Sequence, residues 1–94
     1  MNETSEDAGV AEARLPTPAE VAERFPGGPV AGDTVARTRA AIHDLLSGRD
    51  GRRLLVVAGP CSLHDPAAAM EYACRLARVA EATREELVIV MRTY

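Results

Sequence analysis

Cys61 and His64 stand three residues apart in the run Gly59-Pro60-Cys61-Ser62-Leu63-His64. A thiolate with an imidazole close by can bind a divalent metal ion or act as a nucleophile pair. Taken alone, the two residues are equally at home as a small packed thiol beside a solvated imidazole, which is the commoner arrangement. Arg92 follows a second apolar run. Its planar guanidinium can grip a phosphate or carboxylate through two parallel bonds, or it can serve as an ordinary surface ion-pair arginine. Gly59-Pro60 imposes a tight turn, and Ser62, Asp65 and the helix start after them offer donors to an anion. Neither a P-loop nor a dinucleotide fingerprint is present. Cys74 lies among small apolar neighbours and reads as a packing thiol, and His43, beside Asp44 with no ligand at helical spacing, reads as a surface histidine.

The elements that must position these residues follow from their pattern. Leu54-Leu55-Val56-Val57-Ala58 is a continuous apolar run of strand length, the mark of a strand buried on both faces. Asp65-Pro66 supplies a cap and first residue for a helix carrying Met70, Ala73, Leu76, Ala77 and Ala80 inward, with Glu71, Arg75 and Arg78 toward water. Glu85 and Glu86 mark the next turn, and Leu87-Val88-Ile89-Val90-Met91 repeats the strand pattern. Strand, helix and strand form one βαβ unit with parallel pairing. Cys61 and Arg92 then both lie just past the carboxyl ends of strands, the edge where α/β proteins build their sites. Two strands cannot cover a parallel sheet on both faces, so the unit, halting at Tyr94 straight after a strand, reads as the opening of a larger α/β protein.

Ahead of that unit, residues 1–14 are polar and acidic and read as a tail without fixed structure, and residues 15–50 as a helical extension. Thr17, Pro18 and Glu20 form the start signal of a short helix to about Arg24, which Phe25-Pro26-Gly27-Gly28-Pro29 ends. Asp33 looks like the cap of a second helix, with Val35, Ile42, Leu45 and Leu46 on one side and closure at Ser47-Gly48.

Composition narrows the function. The net charge of -3, with basic residues scattered, argues against nucleic acid. No apolar run approaches the roughly 20 residues of a membrane span, and the start lacks the basic head and apolar stretch of a secretory signal. A cytoplasmic chain with two reduced thiols is expected. At 3% aromatic residues, any core must be built from Ala, Val, Leu and Ile, which makes independent stability doubtful.

The segment from Arg53 through Gly59-Pro60-Cys61-Ser62 and His64-Asp65 to Pro66 resembles the first barrel strand of class I DAHP synthases. The likeness continues through Glu71-Tyr72-Ala73 and Arg75-Leu76 to Ile89-Val90-Met91-Arg92-Thr93-Tyr94, and backwards through Leu15-Pro16-Thr17-Pro18. It implies a (β/α)8 TIM barrel of which residues 51–94 are the first, truncated strand-helix-strand, preceded by an extension that packs on the barrel and a neighbouring subunit of a homo-oligomer. It implies the condensation of phosphoenolpyruvate with erythrose 4-phosphate that opens the shikimate route to aromatic amino acids. Cys61 would be a ligand of the divalent metal ion (Mn, Fe, Zn or Co), and Arg92 would hold phosphoenolpyruvate. In the family a Phe-Glu-Lys-Pro-Arg run follows the tyrosine matching Tyr94, and a His, a Glu and an Asp from later strands complete the metal site. None of these lies in this chain, so the 94 residues are expected to be inactive alone. The alternative is a non-catalytic module that docks on a full-length synthase through exposed strand edges. A small Cys/His metal carrier is disfavoured, because Cys61 and His64 have no further ligand nearby.

Overall fold

The computed structural model describes residues 14–94. Apart from Arg14, the expected tail lies outside the described residues. The chain divides into two compact units after Ala31. In the first, helix α1, Pro18–Arg24, starts as its sequence requires: the Thr17 hydroxyl accepts from the Glu20 amide at 3.1 Å, and the Glu20 carboxylate accepts from the Thr17 amide at 2.8 Å. This reciprocal pair satisfies two of the amides a helix start leaves open. The Thr17 amide, and after it the Arg14 guanidinium, hold the Glu20 carboxyl below its ordinary value.

Helix α2 runs Gly28–Leu46, six residues longer at its start than a cap at Asp33 would give. Gly27 and Gly28 take φ of 85° and 82°, a turn that side chains resist, and Pro29 then falls in the first helical turn, where its missing N–H costs nothing. Asp33 therefore sits inside the helix, accepting from Arg37 Nε at 2.8 Å one turn on. The far end is as expected, with Gly48 at φ 85° and the Ser47 amide donating to the His43 carbonyl. The expected apolar side is only partly correct. Ile42 and Leu45 are half-buried, whereas Leu46 is 78% exposed and Val35 is exposed too. Thr38 and Ala41, one turn apart, complete the inward stripe instead.

Strands β1, Leu54–Ala58, and β2, Leu87–Met91, pair in parallel from Leu54↔Leu87 to Ala58↔Met91, with helix α3, Pro66–Ala82, between them in the chain. The Asp65 carboxylate caps α3 by accepting from the Ala67 and Ala68 amides, a contribution of about 1 kcal/mol. Helix α3 packs on β2 through Ala73, Leu76 and Ala80, which with the half-buried Ala69 recur at helical spacing. Met70, Cys74 and Ala77 each lie one position off that stripe and are exposed, which corrects the inward placement expected for all three. The strands are not buried on both faces either. Leu54 is 69% and Val57 62% exposed, and Val88 alone among the described residues is buried, because one helix against a two-stranded sheet leaves the remaining faces bare. No helix of the described residues is long and apolar enough to cross a membrane.

A turn before β1 is organised by one carboxylate. Asp50 accepts from the amides of Arg52 and Arg53 and from Arg53 Nε at 2.7 Å. These bonds, the Arg52 amide first, lower its pKa from 3.8 to about 2. A group depressed in the folded state stabilises the fold above its ordinary value, and that contribution is lost as pH falls through the folded value. The Arg52 and Arg53 amide resonances are therefore expected to titrate with a midpoint of about 2 rather than 3.8. An NMR pH titration checks this, and a midpoint at the ordinary value would contradict it.

Candidate functional site

The carboxyl ends of β1 and β2 converge on one short junction. The Arg92 amide continues the ladder by donating to the Ala58 carbonyl at 2.8 Å. The Leu63 amide donates to the Tyr94 main-chain oxygen at 2.6 Å, so the loop after β1 and the segment after β2 are laced together. Within that lacing, Arg92 Nη2 donates to the Cys61 carbonyl at 2.8 Å, and the guanidinium carbon stands 5.8 Å from the centre of the Tyr94 ring. The two residues singled out in the sequence thus meet at the same end of the sheet.

Arg92 is exposed and makes no ion pair among the described residues. Its remaining donors face outward charged and uncompensated, which suits an incoming anion. Four of the arginines at the opposite end of the strands are less available to an anion. At the amino ends of the strands an open pocket of about 740 Å³ is lined by Arg37, Arg49, Arg53 and Arg84. Each of the four is already paired, to Asp33, Asp44, Asp50 and Glu81 respectively, whereas Arg52 in the same lining makes no ion pair among the described residues.

Cys61 carries a free, exposed thiol. His64 is exposed as well and lines a pocket of about 270 Å³ with Pro60, Ser62, Leu63 and Tyr72, to which neither Cys61 nor Arg92 contributes. No group of three His, Cys, Asp or Glu side chains able to hold a metal ion occurs among the described residues. An accessible thiol on a loop fits one corner of a metal site, and the described residues supply no more of it.

Two further participants touch Arg92 in a way the sequence reading did not give them. A Cβ built on Gly59 would overlap the Arg92 main-chain oxygen and come to 2.9 Å from Arg92 Cβ, so this glycine is required by a neighbour and not merely by a turn. A glycine at a strand end is the available signal for such an approach. Tyr94, 80% exposed, offers its face to Arg92, two residues before it in the segment after β2.

Residues 22–94 match the DAHP synthetase I family. The chain belongs to that family. The Phe-sensitive phospho-2-dehydro-3-deoxyheptonate aldolase of Escherichia coli is 50% identical over the whole chain, and the Trp-sensitive aldolase of the same organism 47%. The aldolase of Amycolatopsis methanolica is 48% identical over 85% of the chain. Among solved structures, the phospho-2-dehydro-3-deoxyheptonate aldolase of Francisella tularensis superimposes with a TM-score of 0.74 at 38% identity, covering 87% of this chain and 24% of that one. The chain spans 27% of the length of either Escherichia coli relative and 39% of the Amycolatopsis protein. For this DAHP synthetase I segment the α/β class is correct, with three helices and a two-stranded parallel sheet among the described residues.

Proposed function

We propose that this chain forms the opening of a DAHP synthase barrel and supplies two groups to its active site. Residues 15–50 would be the helical extension, and residues 51–94 the first strand-helix-strand of a (β/α)8 barrel, whose sites gather at the carboxyl ends of the strands. The whole enzyme would work in the cytoplasm as a homo-oligomer. Its reaction joins the third carbon of phosphoenolpyruvate to the aldehyde carbon of erythrose 4-phosphate. Water is consumed and inorganic phosphate released, since the product 3-deoxy-7-phosphoheptulonate carries one phosphate where the substrates carry two.

The juxtaposition of Arg92 and Cys61 at one strand end carries this reading. Arg92 would take the phosphate or carboxylate of phosphoenolpyruvate on the donors it does not spend on the Cys61 carbonyl. The Cys61 thiolate would be one ligand of a divalent metal ion, which when bound acts as a Lewis acid on the aldehyde. The other ligands must come from residues beyond this chain's described set, so the 94 residues alone are proposed to be inactive.

The test replaces the matched segment of the Escherichia coli Phe-sensitive aldolase with this chain. The chimera is expected to condense the two substrates within about tenfold of the parent's kcat/KM, and the chain alone to give no product. A folded chimera without activity would sink the proposal.

A further inference from the structure

The junction that joins Arg92 to the Cys61 loop depends on two residues to which the proposed chemistry gives no role. We propose that Gly59 and Tyr94 are positioning residues for Arg92, Gly59 fixing how closely the two strand ends approach and Tyr94 fixing the plane of the guanidinium. The inference rests on the reading of Arg92 as the holder of the substrate anion.

Gly59 follows β1 directly and abuts Arg92 across the sheet. What a side chain there would meet is the main-chain oxygen and nitrogen of Arg92 together with its Cβ, with no flexible side-chain end able to swing aside. The contrast with Gly48 and Gly51 is instructive, because a Cβ on either meets open space. A methyl at position 59 must therefore push the two strand ends apart. The Arg92 amide would then be drawn from the Ala58 carbonyl, and Nη2 from the Cys61 carbonyl, both now at 2.8 Å.

Tyr94 acts on the other end of the same side chain. An arginine exposed to water samples many rotamers, and two restraints limit this one: the bond to the Cys61 carbonyl and the ring face 5.8 Å away. A guanidinium held over a ring keeps the edge-on donors free for a bidentate anion. Position 94 is fixed in turn by the Leu63 amide on its main-chain oxygen, so the ring is seated by the same loop that carries Cys61.

The experiment uses the full-length chimera and reads the Michaelis constant for phosphoenolpyruvate apart from turnover. Gly59→Ala is expected to raise that constant about tenfold while kcat falls less. Gly48→Ala, whose φ of 85° strains an alanine far from the junction, is expected to lower the melting temperature and leave the constant unchanged. Tyr94→Leu should raise the constant about threefold and Tyr94→Phe should restore it, since Phe keeps the ring face. Should Gly59→Ala fail to fold, the Tyr94 pair still decides, because neither Leu nor Phe alters the main-chain bond from the Leu63 amide that seats position 94. Arg92→Ala is measured beside them. If it raises the constant while folded Gly59→Ala and Tyr94→Leu stay at the wild-type value, the positioning roles are overturned and the Arg92 reading stands. If Arg92→Ala itself changes nothing, the reading of Arg92 falls and the positioning roles fall with it.

Discussion

Cys61→Ser in the full-length chimera is expected to lower turnover by about 100-fold or more at metal concentrations that saturate the parent. A thiolate is a soft, anionic ligand, whereas a serine hydroxyl stays protonated at neutral pH and is a poor donor to a transition metal. Even a residue that only supports a ligand typically costs about 10- to 100-fold in affinity or activity when replaced, so loss of the ligand itself sets a higher floor. The substitution leaves the junction intact, because Arg92 bonds the main-chain carbonyl of residue 61 and not its sulfur. The Michaelis constant for phosphoenolpyruvate should accordingly move far less than metal affinity does. Titration with Mn or Co followed by competition with a chelator gives the affinity, and an assay at rising metal concentration gives the turnover. Wild-type rate and wild-type affinity in the serine variant would remove Cys61 from the metal site.

Where the sequence was most legible, the signals were local and several pointed the same way. Thr17, Pro18 and Glu20 name a helix start three times over, and Asp65-Pro66 does so twice; both helices begin where those residues place them. The two strands were legible from unbroken apolar runs flanked by turn residues, and their parallel pairing from the helix between them. Asp33 misled because an aspartate at helical spacing from an arginine looks the same as a cap until the backbone ahead of it is known. The backbone there turns on Gly27 and Gly28, whose positive φ values lie in a stretch that reads as a break.

Burial was the least legible property, for a physical reason. A run such as Leu54 to Ala58 states what its environment must eventually supply, not what this chain supplies, and so Leu54 and Val57 stand exposed on a strand patterned for a core. The placement of Cys61 and Arg92 was legible because topology alone sends both to the carboxyl ends of parallel strands. Their direct bond was not, since it depends on the close approach that Gly59 permits, a contact between residues 33 positions apart.

Arg92→Ala should raise the Michaelis constant for phosphoenolpyruvate by roughly 10- to 100-fold, with kcat at saturation falling much less. A hydrogen bond between charged groups contributes about 1.5–3 kcal/mol, and each 1.4 kcal/mol is about tenfold in affinity. The bond to the Cys61 carbonyl is lost as well, while the main-chain bond from the Arg92 amide to the Ala58 carbonyl remains, so a melting curve is recorded beside the kinetics. Lysine at position 92 should fall between the two. It keeps the charge, but as a compact ammonium it cannot bond the Cys61 carbonyl and grip an anion through a planar fork together. Salt separates charge from shape: an exposed guanidinium holding an anion weakens as ionic strength rises, so the wild-type constant should climb with added salt more steeply than that of the alanine variant. Initial rates at varied phosphoenolpyruvate, fixed erythrose 4-phosphate and two ionic strengths measure both effects. An unchanged constant in Arg92→Ala would remove Arg92 from the site that holds the anion.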